Sequence, residues 1–469
     1  MNTFLFYDIE TTGLNPAFDQ ILQFGAIRTD MDLQEIERTE ILVKLRPDAV
    51  PAPGAILTTG IDLETHNEGA ICEYEAIKRI HEMVNQSGTI SIGYNSLNFD
   101  DEFLRFSFYR NLLDPYTHQW QNGCRRADIL PMALFFKSFR PDIIKWPVTD
   151  EGKSTMKLEK INELNHLAEG QAHDAMTDIE ATLNLARRMK AHPELWDYCL
   201  SNFEKKQDET RSLKAWENHG KGFLGCKTGT ILDTGIGADR GYMAPVVWLG
   251  TNQIKQQILM RLDAFEFSDI DTEAIDETSF VTRKKYGEPP FSFPNRKRLT
   301  QHFDSERVDL EKRNLDFIKN NSDKFERITR FWLTYEYPLV TDIDPDARLY
   351  TGGFASANEK RWNEKFHEHF GTEYLFEVVE QMPANVRKDA AYRILFRNLP
   401  EESEKRYPYE FSDFLEQSLH GNPKDYRDKH KASPKEISEE IREIINEQFK
   451  EKEIPKPLES LRKYIEYVQ

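Results

Sequence analysis

Cysteine is scarce in this 469-residue chain, with Cys72, Cys124, Cys199 and Cys226 making up the whole complement. No CxxC pair occurs and the spacings are too long and irregular for a zinc knuckle, so the four read as reduced core residues rather than a disulfide framework. Long apolar runs are missing as well: none approaches the roughly 18 residues that a membrane-spanning helix needs. The opening MNTFLFYDIE has neither a basic n-region nor a cleavage site, and a cytoplasmic location is expected. There is no internal repeat or low-complexity tract. Net positive charge is also lacking. The chain carries 62 Lys and Arg against 80 Asp and Glu, a formal charge of −18. Residues 1–190 hold 29 acids and 19 bases, residues 349–469 hold 24 and 20, and the middle is about −4. A polyanion must therefore bind through a local basic groove or through bound metal, because no region is basic overall.

What is present first is a mixed pattern. The length predicts two to four domains. Phe4–Ile9, Ile21–Arg28, Ile41–Leu45 and Thr89–Gly93 read as strands, whereas Glu73–Val84, Asp101–Leu112 and Asp174–Met189 have helical spacing, the last with Met176, Ile179, Leu183 and Ala186 on one face. A boundary is expected near residue 195, where charge density rises. Beyond it, glycines punctuate short apolar runs such as APVVWLG and QQILMRL, a β-barrel or sheet pattern. From LYTGGF (349–354) onward the chain reads as helices.

Within the first 180 residues, four acids and one histidine form a chemically coherent set. Asp8 and Glu10 are two apart on a strand, so both carboxylates project from one face where the chain leaves the core at Thr11-Thr12-Gly13. Asp100 opens an amphipathic helix, and Asp101 and Glu102 behind it are available to cap that helix. His173 and Asp178, five apart, suit a histidine on the loop before a helix and an aspartate one turn inside it. Carboxylates from separate elements can hold two hard cations, and a group titrating near 6.5 is an effective base close to neutral pH. Four carboxylates brought together repel one another, so without metal the site is expected to be partly disordered or partly protonated.

The order DxE, NxxxFD, HxxxxD resembles the DEDD exonucleases of the histidine-containing subtype. The longer stretches DIETTGLNPAFDQILQFGAIRTD, GYNSLNFDDEFLRFSFYRNLLDPY, IKWP and AHDAMTD are similar to the bacterial exonuclease I family, as are APVVW and LYTGGF further on. The resemblance implies an α/β fold: an RNase H-like exonuclease domain with a mixed sheet (1–194), an SH3-like domain (195–348) and a C-terminal helical domain (349–469). It implies a 3′→5′ exonuclease releasing 5′-mononucleotides from single-stranded DNA in repair and recombination. A DEDD exoribonuclease or a general 3′ trimming enzyme is the alternative. Asp8, Glu10, Asp100 and Asp178 would hold two Mg²⁺, or Mn²⁺, and His173 would be the base.

Strand contacts are read partly from spacing: Arg105 sits one helical turn past Asp100, and Tyr116 and Trp120 are four apart, which suits an aromatic platform beside a phosphate ligand, with structural core as the competing reading. Glu10 is a further expected substrate contact, and Lys157 falls where the family has a basic residue meeting the substrate. Lys157 offers a point charge rather than bidentate contact. Leu134 stands where the family has another basic contact. Arg140 matches a position that docks the acidic tail of single-stranded DNA-binding protein. The basic clusters 283–285 and 296–298 are candidate groove linings, and a monomer without membrane association is expected.

Overall fold

The computed structural model describes residues 2–170, 174–218, 226–296, 299, 303–450 and 452–469. By contact the chain falls into two compact units, one built from 1–126, 168–183 and 339–469 and the other from 127–167 and 184–338.

In the first unit, β1 (Thr3–Thr11), β2 (Ile21–Thr29), β3 (Glu35–Leu42), β4 (Thr89–Gly93) and β5 (Arg125–Asp128) form a sheet in the order β3-β2-β1-β4-β5. β1 runs antiparallel to β2 and parallel to β4, so the sheet is mixed. Strand alternation sorts β1 into two faces. Leu5, Tyr7 and Ile9 enter a core with Ile77 and Ile80 of the helix Glu73–Val84 and with Phe103, Leu104 and Phe108 of the helix Asp100–Arg110. Asp8 and Glu10 share the opposite face with Phe4 and Phe6, both fully buried.

The expected strand Ile41–Leu45 is displaced. The observed strand ends at Leu42 and begins at Glu35, and Val43 makes only a single bridge to Ile71. Its first six residues, EIERTE, lie on a solvated sheet edge, where no apolar alternation is needed and none is written.

Residues 339–469 supply helices to the same unit. Three of them, Pro400–Arg406, Pro408–His420 and Pro434–Gln448, begin with proline, which has no amide hydrogen to lose there. The helices of this segment bury apolar side chains directly against the first 126 residues: Leu22, Val50, Ile56 and Leu63 share a core with Ile437, Ile441, Leu458 and Leu461, and Tyr74 and Leu112 share another with Leu375 and Val379.

The second unit carries an antiparallel sheet, with β6 (Glu217–Asn218), β7 (Lys227–Leu232), β8 (Met243–Thr251), β9 (Gln257–Arg261), β10 (Thr282–Lys284) and β11 (Phe291–Phe293). The order is β10-β9-β8-β7-β11, with β6 pairing to β7. Val247, Ile258 and Met260 pack against Ile318, Ile328 and Trp332 of the helices Ser305–Asn320 and Ser322–Thr334. Lys284 does not line a groove. It is fully buried, its Nζ 2.8 Å from Asp208 Oδ2. Arg283 lies over the rings of Trp332, Tyr335 and Tyr337. Arg296 is exposed, while Lys297 and Arg298 fall outside the described residues.

Candidate active site

Asp8 and Glu10 occupy the last turn of pleat in β1 before a bulge between Glu10 and Thr11, and in register they face Gly25 and Gln23 of β2. Past the bulge the chain is closed by short polar contacts: Asp19 accepts from the Asn15 amide at 2.7 Å and from the Thr12 hydroxyl at 3.2 Å. The strand end is thereby held rigid.

Asp178 arrives from the helix Ala175–Lys190. Gly25 makes that approach feasible. A Cβ there would sit 2.7 Å from Ile179 Cδ1 and 3.0 Å from Met176 Sδ, so any side chain would push the helix off the sheet beside Asp8. Arg38 of β3 also reaches over to Glu180 of the same helix. As a result Asp8, Glu10 and Asp178 each bring a carboxylate oxygen within 4.8 Å of the others, the arrangement a hard cation needs.

Asp100 opens its helix and is buried. Its field reaches Asp8. Burial raises the Asp8 carboxyl well above the usual carboxylate range, and the charges of Asp100, Asp178 and Asp174 add to that rise. Burial, then Asp8, Asp178 and Asp174, push Glu10 up to about 9. Without a cation, Glu10 favours the protonated form at neutral pH and Asp8 is shifted in the same direction, burial first and like charge second. The donor set, all carboxylate and mutually repelling, fits divalent metal: two positive charges per ion remove the repulsion that otherwise holds protons on the site.

The residues expected to cap the Asp100 helix do something else. The cap position is Phe99, with no side-chain hydrogen bond. Asp101 is instead a buried hub, accepting from Arg105 and Arg126 at 2.5 Å each and from His118 Nε2 at 2.8 Å. These partners outweigh the cost of burial and hold its carboxyl far below the ordinary range. Glu102 binds Arg105 at 2.6 Å and takes the Tyr350 hydroxyl. The N-terminal turn that presents Asp100 is thus fixed from three sides.

Other sequence-predicted residues are placed variously. Arg105 is buried, its guanidinium turned to Asp101 and Glu102 rather than to solvent. Tyr116 lies under that guanidinium at 6.0 Å and meets Phe354 edge-on at 5.9 Å. Trp120 is 65% exposed and Phe354 is 89% exposed. A cleft of about 700 Å³ opens beside them, lined by Tyr109, Tyr116, Arg348, Phe354 and Arg387 among others.

Lys157, Arg140 and Leu134 belong to the second unit. Lys157 is exposed, 3.8 Å from Glu159, and Arg140 grips Asp142 through two 2.9 Å bonds. Leu134 is 1% exposed in the helix Ile129–Phe139, so this position is a core position here. His173 lies outside the described residues.

Asp174 was not among the candidates read from sequence. Its Oδ2 accepts from the Thr177 amide at 3.0 Å and the Thr177 hydroxyl at 2.8 Å, which caps the helix that carries Asp178. An aspartate three residues before a threonine at a helix start was the available signal.

The model of the Exonuclease (RNase_T) family matches residues 5–186. Exodeoxyribonuclease I of Escherichia coli K12 is 30% identical over 383 residues, covering 76% of this chain and 78% of that one. This chain belongs to the exodeoxyribonuclease I family. The exodeoxyribonuclease I of Haemophilus influenzae is 36% identical over 257 residues, 54% of this chain and 52% of its own. Among solved structures, E. coli exonuclease I in complex with a dA16 oligonucleotide superposes with a TM-score of 0.84 at 24% identity over the full length of both chains. Exonuclease I from Methylocaldum szegediense superposes at 0.81 with 25% identity, over 100% of both chains. The exodeoxyribonuclease I fold therefore extends through the helices at the C-terminal end.

Proposed function

We propose that this chain is a 3′→5′ exonuclease that removes 5′-mononucleotides from single-stranded DNA by metal-assisted hydrolysis, acting in DNA repair and recombination. The observation that carries the reading is the convergence of Asp8, Glu10 and Asp178 within 4.8 Å, in a chain of the exodeoxyribonuclease I family. The solved relatives described as complexes with dA16 and 5cy-dT13 oligonucleotides support the choice of strand.

Asp8, Glu10, Asp100 and Asp178 are the residues to hold two divalent cations, Mg²⁺ in the first place and Mn²⁺ as a substitute. When bound, such ions supply Lewis acidity and make water a nucleophile near neutral pH. The protein's part is to fix the oxygens. The β1 bulge sets Glu10, the Asp101 hub sets Asp100, and the close approach at Gly25 sets Asp178. His173 is the residue to take the proton from the attacking water. Glu10 would also contact the 3′-terminal nucleotide.

Tyr116 and Trp120 would stack bases, a contact tolerant of sequence. Arg105 would meet a phosphate by releasing Glu102, and Lys157 would add a point charge; an SH3-like domain over 195–348 and a helical domain over 349–469 would complete the enzyme. Arg140 would bind the acidic tail of single-stranded DNA-binding protein by exchanging Asp142 for it. A solved relative described as SSB/Exonuclease I in complex with inhibitor CFAM supports that partner. We take the working form to be a cytoplasmic monomer. Among the described residues no helix is long and apolar enough to cross a membrane.

The test uses 5′-labelled single-stranded DNA, duplex DNA and RNA with Mg²⁺, beside Asp178→Ala. The expected result is a ladder shortening from the 3′ end of single-stranded DNA alone, lost with chelator and reduced at least a hundredfold in the variant. Preference for RNA would favour the exoribonuclease alternative, and full activity in Asp178→Ala would remove the metal-site assignment.

A further inference from the structure

The carboxylate of Asp178 can complete the cluster with Asp8 and Glu10 only if the first turn of its helix is held in one orientation. That turn is short of partners by construction, since the first amides of any helix have no carbonyl behind them. Asp174 supplies the missing acceptor at the N-cap. Its Oδ2 takes the amide of Thr177, the third helical residue, at 3.0 Å and the Thr177 hydroxyl at 2.8 Å, while its backbone carbonyl takes the Asp178 amide at 3.0 Å. Thr177 is buried, and Gly170 packs so close behind it that a Cβ there would fall 2.4 Å from the Thr177 hydroxyl. The Thr177 hydroxyl is therefore held by the Asp174 carboxylate and closely covered by Gly170, which leaves no room for a side chain there. Asp174 is not itself among the three acids that converge.

We infer that Asp174 is a positioning residue for Asp178: by clasping Thr177 it fixes the turn from which Asp178 enters the carboxylate cluster, and so sets how tightly that cluster holds a cation. The inference rests on the functional reading above. It assigns the effect to the hydrogen bond, so a neutral capping residue must be able to replace the aspartate.

The experiment compares the full chain with Asp174→Ala and Asp174→Ser, titrating Mn²⁺ by calorimetry without DNA and then measuring kcat and KM on single-stranded DNA. Asp174→Ala is expected to bind Mn²⁺ about fivefold more weakly, the scale of a lost N-cap bond, and to lose kcat with KM for the strand unchanged. Asp174→Ser, whose hydroxyl can accept from the Thr177 amide, is expected to recover both. A role confined to helix stability would lower the melting temperature of Asp174→Ala and leave Mn²⁺ affinity where it was. Parental Mn²⁺ affinity in Asp174→Ala would overturn the inference. So would an Asp174→Ser protein whose Mn²⁺ affinity falls about fivefold or more below the parent's, a comparison that stands even where Asp174→Ala fails to fold. A parent that neither binds Mn²⁺ nor shortens the strand would instead remove the functional reading.

Discussion

Glu10 sits where burial and three neighbouring aspartates all oppose its ionisation, and a stability consequence follows. Its carboxyl is pushed up to about 9 in the folded chain, against about 4.5 in the unfolded one, and Asp8 is raised in the same direction. The folded state thus holds these protons more tightly than the unfolded state. The resulting stability is fully present below about pH 4.5 and is lost as pH rises through about 9. The metal-free protein should accordingly melt at lower temperature as pH goes from 5 to 9, and saturating Mg²⁺ should flatten that slope. Glu10→Gln removes the titrating group, so this variant should be the more stable protein at pH 8 without metal yet gain little from adding it. Differential scanning calorimetry at several pH values would decide, and a metal-free melting temperature that does not move with pH would refute the account. The ligand residues were legible from sequence because each lay in a recognisable spacing. The charge state they share was legible only as repulsion. Its strength depends on burial that no spacing reveals.

The elements that carry these residues depend on two contacts of different kinds. Gly25 is needed for lack of a side chain, since Ile179 Cδ1 occupies the space 2.7 Å from where a Cβ would stand. Gly25→Val should cost about 1–3 kcal/mol by overpacking and should lower kcat more than a surface change of equal stability cost, because it moves Asp178 with the helix. Chemical denaturation paired with steady-state kinetics would test this; unchanged kcat would show that the position of Asp178 does not depend on the close approach at Gly25. Asp101 is needed for its charge. Asp101→Asn leaves Arg105, Arg126 and His118 facing a neutral group inside the fold, and breaking a buried ion pair from one side costs about 3–5 kcal/mol. The expected outcome is a large fall in the denaturation midpoint; a change under about 1 kcal/mol would show that the hub is dispensable. From sequence, Asp101 looked like a cap because it opens a helix. Its three partners, two guanidiniums and the His118 ring, come from its own helix, from a short turn at 118 and from β5, a meeting that linear order does not announce.

At the scale of the molecule, the helices 339–469 belong to the same unit as the catalytic sheet. Ile437, Ile441, Leu458, Leu461 and Ile465 cover Leu22, Val50, Ile56 and Leu63, a burial worth on the order of 10 kcal/mol. That is about the whole stability of an ordinary domain. Removal of residues 339–469 should therefore leave 1–338 without a folded exonuclease sheet, seen as loss of near-ultraviolet dichroism and of Mn²⁺ binding; a truncated chain that keeps both would show the sheet self-sufficient. Buried ion pairs run through the same interface, with Arg397 bonded to Asp48 at 2.7 Å and to Asp346 at 2.6 Å, and Lys431 Nζ donating to the Asp48 carbonyl at 2.6 Å. The mixed α/β start, the helical end and the carboxylates that chemistry requires were legible in the order of residues, because strand alternation, helix periodicity and motif spacing are local properties of the chain. It took packing across the fold to make Leu134 core, to bury Lys284 on Asp208, to turn Asp101 into a hub rather than a cap, and to have the last 131 residues complete the core of the first unit. Each of those depends on which side chains meet across long separations, and the energy of a meeting is written in neither partner alone.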